Sequence, residues 1–304
     1  MPATREAFTT TRAEGLRHDS LPMRLYHKAK RLGAWDPRAI DLTRDIEDWE
    51  RLTYEQRVSL LQVTSLFQAG EESVTLDLLP LIQVIAVEGR LEEEMFLTTF
   101  LWEEAKHVEF FRRFLDEVCR VDRDLHGFHT PSYRRLFYEE LPEAMHRLLR
   151  DPSPEAQVDA AVTYTMIVEG VLAETGYHTY VTSLERADLF PGLRRGLALV
   201  KRDESRHIAY GVYLLSRLVA EDASLWPRVR QRMEELLEPA IASIRETFAS
   251  SESELTPFGI PIEEILAFAT TQFRKRMDRI ERGKAARTVS AVEQLASEEL
   301  ATEA

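Results

Sequence analysis

Two short segments of this chain pair a carboxylate with an imidazole three residues later, Glu104-Ala-Lys-His107 and Glu204-Ser-Arg-His207. On a helix, residues three apart share a face, so each pair can grip one metal ion. One such match is cheap where glutamate is common. A third copy, Glu143-Ala-Met-His146, follows Pro142 at a helix start. Free backbone N–H groups and the helix dipole favour a carboxylate there without any metal, so that copy reads as structural. Two more carboxylates give the first pair of motifs their weight. Glu169 is the one ionisable carboxylate in the apolar run AVTYTMIVEGVLA, residues 161–173, and Glu71 lies in LLQVTSLFQAGEESV. A glutamate is almost never fully buried without a partner, and stripped of water it takes up a proton or faces a cation.

Spacing supports the cation. Glu71 precedes Glu104 by 33 residues, with Gly89 near the midpoint, and Glu169 precedes Glu204 by 35. Two helical hairpins would bring all four carboxylates and both imidazoles to a similar depth. The interval from Glu109 to Glu143 is of like length, but the polar loop DRDLHGFHTPS at 122–132 fills much of it. The order Glu, Glu-x-x-His, Glu, Glu-x-x-His matches ferritin-like di-iron and di-manganese bundles. Four carboxylates and two neutral imidazoles balance two divalent ions, and oxygen and imidazole donors suit manganese and iron better than soft metals. Adjacent glutamates leave two choices open at this level: Glu71 or Glu72, and Glu104 or Glu103.

The elements needed to position these groups are long helices, and the apolar residues recur at helical spacing. This pattern predicts long helices over roughly 53–88, 90–119, 154–186 and 193–220, with shorter ones at about 132–149, 225–250 and 261–282. Pro80 should kink the first helix rather than end it, because the apolar pattern continues beyond it. The expected fold is all-α, a ferritin-like four-helix bundle with additional helices. We expect one domain over 1–304, with a mobile lead at 1–20 and a small, polar, frayed or disordered tail at 284–304.

Composition narrows the function classes. A net charge of −13 over 304 residues argues against nucleic acid or an anionic membrane as the main partner. The single cysteine, Cys119, rules out an intrachain disulfide and fits a reducing cytoplasm. No apolar run is long enough to span a bilayer, and the first twenty residues lack a signal-peptide core. The expected setting is cytoplasmic.

The segments AGEESV, EEAKH, VTYTMIVEG and DESRH, taken in order, resemble the ligand-binding oxidases related to the ribonucleotide reductase small subunit. The likeness runs from DPRAIDLTRDIEDWE at 36–50 to the helix ending near 282. It implies a heterodinuclear centre of one Mn and one Fe, two Fe being the alternative. Glu71, Glu104 and His107 would surround manganese and Glu169, Glu204 and His207 iron, with Glu104 bridging. It also implies a long-chain fatty acid with its carboxylate at the metals, activation of dioxygen, and a homodimer. An ether cross-link between a Val74 side-chain carbon and the Tyr164 oxygen is implied as well, with two-electron oxidation of a further, unknown substrate. In an ideal α-helix Tyr164 lies about 140° around from Glu169, so spacing alone does not nominate it. Asp203 is a candidate acceptor for the outer N–H of His107, with Trp49 continuing a polar path, and Tyr177 is either a near-site phenol or core.

Other readings make different demands. A radical-storing reductase subunit commonly carries tyrosine four residues after the first motif's histidine, where this chain has Phe111. It also commonly carries an aromatic residue in its tail, and none follows Phe273 here. Metal-storage proteins are much shorter chains. A purely structural bundle would need lysine or arginine opposite Glu169; Lys106 and Arg206 lie between ligand positions and are expected on other faces.

Overall fold

The computed structural model describes residues 8–13, 15–249, 254–285 and 291–292. The expected tail at 284–304 falls largely outside these residues; of the expected lead at 1–20, residues 1–7 and 14 do, and a single 3-10 turn, Thr9–Thr11, lies in the rest. Regular structure among the described residues is helical, apart from one isolated bridge between Leu255 and Pro261.

The first bundle helix is split. α3 (Tyr54–Asp77) begins at a reciprocal cap between Thr53 and Gln56 and is followed directly by α4 (Leu79–Val87). Leu78 keeps helical angles, φ −72° and ψ −29°, so the chain bends there without leaving its course. Pro80 is the cause, since it has no N–H and its ring crowds the preceding turn. Gly89 then turns at φ +74°, a value that strains a residue bearing a Cβ. α5 (Leu91–Glu117) returns antiparallel along α3.

The third long helix is composite. α8 (Pro154–Ala161) opens with Ser153 accepting from the Ala156 N–H. A twelve-residue π-helical stretch, Val162–Ala173, follows, and α9 (Glu174–Arg186) completes the run. Three threonine hydroxyls, on Thr163, Thr165 and Thr175, donate to the carbonyls four residues back at 2.6–2.7 Å, competing with the regular backbone ladder. A wide turn changes which residues share a face. In an i→i+5 ladder, residues five apart lie nearly one turn above one another. Tyr164 and Glu169 therefore face the same region, not the opposed directions that α-helical spacing predicts.

α10 (Pro191–Glu221) is the fourth long helix. Its start is held by α2 (Thr43–Arg51), which the periodicity did not single out. Both oxygens of buried Asp45 accept from Gly192 and Leu193 N–H groups at 2.9 and 2.6 Å, and Asp48 accepts from Phe190 N–H at 2.8 Å. Carboxylates at a helix N-terminus satisfy its orphan donors and its dipole. A further unforeseen helix, α1 (Leu21–Leu32), buries Leu21, Met23, Leu25 and Ala29 against α5 and α10. The shorter expected helices are also present. α6 (Pro131–Arg134) and α7 (Leu141–Arg147) flank a π turn, and α11 (Trp226–Thr247) and α12 (Ile262–Ala285) pack on the composite helix.

Candidate metal centre

The structure brings all six expected metal-binding groups together. Glu71, Glu104 and His107 gather with Glu204, and Glu104, Glu169, Glu204 and His207 form an overlapping group, with one candidate ligand atom per residue all within 4.8 Å. Each comes from a different turn of α3, α5, the π stretch or α10, and all are buried. The adjacent-glutamate choices are resolved by burial and direction. Glu71 is 5% exposed and points inward, whereas Glu72 is exposed. Glu104 faces both imidazoles, at 3.5 Å from His107 Nδ1 and 3.1 Å from His207 Nδ1. Glu204 does the same, at 3.2 and 3.5 Å, so geometry adds it to the first group as well as the second. Glu143 is exposed, and His146 pairs with Asp77 at 3.1 Å, in keeping with a structural third motif.

The site fits cations. Both oxygens of Glu104 and of Glu169, Oε2 of Glu204, and Nδ1 of each histidine are buried without a hydrogen-bond partner. So many orphaned acceptors in one place would be prohibitively costly unless something positive satisfied them. No lysine or arginine among the described residues does so. Among the described residues, the one basic group within ion-pair distance of Glu169 is His207 Nδ1, at 3.9 Å. In the protein alone, protons carry the compensation. Burial raises Glu71 to about 8 and Glu169 well above the ordinary carboxylate value. Burial works to raise Glu104 as well, yet the two imidazoles hold it at about 2. Divalent ions in place of those protons would leave four carboxylates and two neutral imidazoles balanced, the ligand state that metals require.

Around this site sits a second ring of charge that sequence reasoning placed only in part. Lys106 and Arg206 are 6% and 2% exposed, not solvent-facing, and neither points at Glu169. Arg206 Nη2 bridges Asp203 Oδ1 at 2.6 Å and Glu103 Oε1 at 2.5 Å. Glu103 is thus no alternative ligand; its other oxygen lies 2.9 Å from His207 Nε2. Asp203 Oδ2 lies 3.4 Å from His107 Nε2 and also accepts from Lys106 Nζ at 2.9 Å. With His107, Arg206 and Lys106 around it, Asp203 is held well below the usual carboxylate range although burial opposes this. The aromatic residue on Asp203 is Trp35, whose Nε1 donates at 2.7 Å, and not Trp49. Trp35 follows α1 in a segment with no helical pattern. There Gly33 passes so close that a Cβ would lie 2.0 Å from Glu103 Oε1.

The near-site phenols are placed as well. Tyr164 donates to the Val74 carbonyl at 3.0 Å, and Tyr177 donates to Glu71 Oε1 at 2.8 Å. Burial, then the carboxylates Glu104 and Glu169, push the Tyr164 phenol well above its ordinary value, so it keeps its proton. Phe111 is fully buried and stacks on Phe67, with ring centres 5.2 Å apart. A mainly apolar cleft is lined by Val74, Val168, Leu172, Phe137, Leu60 and Ile265 together with the carboxylates Glu71, Glu104, Glu169 and Glu204.

Comparison with known proteins places this arrangement. Residues 23–281 match the family model of the ribonucleotide reductase small chain. Among solved structures the chain is similar to R2-like ligand-binding oxidase. One is a tyrosine-to-phenylalanine variant with an anaerobically reconstituted Mn/Fe cofactor, 40% identical, with TM-score 0.84 over 91% of this chain and 98% of that one. Another, a glycine-to-leucine variant with the same kind of cofactor, is 40% identical with TM-score 0.86 over the same shares. The chain belongs to the R2-like ligand-binding oxidase family. It is accordingly a ferritin-like all-α member of the reductase small-chain group, and its site is that of a di-metal oxidase. No helix among the described residues is long and apolar enough to cross a membrane.

Proposed function

We propose that this chain is a dioxygen-activating oxidase with one Mn and one Fe, which binds a long-chain fatty acid at the metals and forms an ether link between Val74 and Tyr164. The observation that carries the reading is the convergence of Glu71, Glu104, His107, Glu169, Glu204 and His207 with orphaned acceptors and, among the described residues, no compensating lysine or arginine. Support for the metal pair comes from the Mn/Fe cofactor of the 40%-identical oxidases. When bound, the metal pair supplies two of the four electrons that dioxygen needs. The chain supplies the other two. A C–H bond of the Val74 side chain and the Tyr164 O–H are lost and a C–O bond forms. Two protons and two electrons pass to dioxygen, and two further protons taken up from the solvent complete two molecules of water.

The side chains are suited to these parts. Val74 and Tyr164 are 4% and 1% exposed, and the phenol already reaches the Val74 backbone. The apolar cleft can take an acyl chain, and Glu71, Glu104, Glu169 and Glu204 in its lining would hold the metals within reach of that chain's carboxylate. Tyr177, hydrogen-bonded to Glu71, orients that ligand. A phenol-based radical store is less well served, because Phe111 occupies the position where it would stand. A homodimer in the cytoplasm completes the proposal. Exposed Leu76, Leu79 and Val87 along α3 and α4 offer an apolar face for pairing.

Elemental analysis after aerobic loading with Mn(II) and Fe(II) should give two metals per chain, one of each. Proteolytic mapping should then find the Val74 and Tyr164 peptides joined, lighter by two hydrogens, and separate after anaerobic loading. Unlinked peptides in an aerobically matured Mn/Fe protein would refute the cross-link chemistry.

A further inference from the structure

The two metal-binding imidazoles are not held alike. His207 Nε2 lies 2.9 Å from Glu103 Oε2, an oxygen with no other hydrogen-bond donor among the described residues. His107 Nε2 lies 3.4 Å from Asp203 Oδ2, and that oxygen also takes Trp35 Nε1 at 2.7 Å and Lys106 Nζ at 2.9 Å. Three donors share one acceptor atom, and the imidazole has the longest contact. Arg206 contacts both carboxylates, so it creates no difference between them. Of the two carboxylates, only Asp203 accepts hydrogen bonds from Lys106 and Trp35. Lys106 is fixed in this role, since Nζ also donates to the Gly33 carbonyl and sits 4.4 Å from the centre of the Trp35 ring.

A carboxylate that accepts strongly from the outer N–H of a bound histidine makes the other nitrogen a better donor. His207 receives that push in full, and His107 only a remnant of it. Affinity rises from Mn(II) to Fe(II) at any given site. The gap reflects how strongly the ligands donate, so a better donor set separates the two ions more sharply and a poorer one tolerates manganese. We propose that Lys106 and Trp35 are positioning residues that set metal specificity: by saturating Asp203 they weaken His107 as a donor, leaving its position to manganese while iron concentrates at His207. This inference rests on the Mn/Fe reading above.

The test is anaerobic loading of the full chain with equal Mn(II) and Fe(II), read by elemental analysis and by site-resolved anomalous diffraction at the two metal edges. No turnover is needed. The wild type should hold manganese beside His107 and iron beside His207. In Lys106→Met and in Trp35→Phe, iron should enter the His107 position and its Mn:Fe ratio should fall by about tenfold, the scale on which outer partners act. Total metal should remain at two, and Lys106→Arg should restore manganese. Either variant suffices should the other fail to fold. Wild-type manganese occupancy in the folded variants would overturn the proposal, as would simple loss of metal from that position. Iron at both positions of the wild type would instead overturn the Mn/Fe reading itself, and this inference with it.

Discussion

Removing the metals by chelation without oxygen should make the protein's stability fall as pH rises from about 5 to 8. The sign follows from the protons that stand in for the cations. Burial lifts Glu71 from 4.5 to about 8, with neighbouring Glu104 and Glu204 adding to the rise and His107 opposing it. Glu169 is raised by burial and by Glu204. Burial works against charge on both imidazoles, yet Glu71 beside His107 and Glu204 beside His207 carry them well above 6.5. All four shifts are upward, so the folded chain binds more protons than the unfolded one across this window. Stability from such a proton is complete below the unfolded pKa and is lost as pH climbs through the folded one. For Glu71 alone, a rise from 4.5 to about 8 corresponds to about 5 kcal/mol. Glu104, lowered to about 2, acts in the opposite sense but below pH 4.5, outside the window. Metal ions bind the deprotonated ligands, so their contribution grows over the same interval. Urea unfolding of chelated and Mn/Fe-loaded protein at several pH values should therefore give curves that diverge as pH increases. A chelated protein whose urea midpoint rises with pH, or parallel curves for the two forms, would refute the assignment of these carboxylates and imidazoles to one coupled buried cluster.

Other changes separate the parts of the site. Glu169→Gln should leave one metal per chain by elemental analysis, lost from the His207 side; two retained metals would remove Glu169 from the ligand set. Asp203→Asn should cost about 10–100-fold in metal affinity beside His107, read by competition with a chelator. It should also cost about 3–5 kcal/mol of folding stability, because Lys106 and Arg206 lose the anion they share. Gly196→Ala places a Cβ 2.0 Å from the Phe110 ring. It should destabilise the chain by about 1–3 kcal/mol in urea with metal content unchanged.

How far the sequence discloses this protein depends on where each partner lies along the chain. The convergence of the six carboxylates and imidazoles was legible because they sit on four strongly periodic helices, and because a buried glutamate in an apolar run has few physical explanations. Glu71 and Glu72 could not be told apart by period, since the apolar face of α3 is broad; burial decides between them. The face shared by Tyr164 and Glu169 was hidden by the π stretch, which no hydrophobic pattern signals. α1 and α2 were missed for a different reason. They are short, and α2 owes its place to Asp45 and Asp48 capping α10 from about 140 residues away.

The outer ring was the least legible part, and its lesson is about reading charge. Lys106 and Arg206 sit one residue before their histidines, and helical spacing alone sends them to another face. That reasoning is sound as geometry, since neither reaches the metal groups. That other face is not solvent, because α1 and the Gly33–Trp35 segment cover it and Asp203 and Glu103 wait beneath it. A cation between two ligands therefore need not be a solvated spacer. Where a neighbouring segment buries it beside the ligands' outer carboxylates, it can govern how strongly those ligands bind.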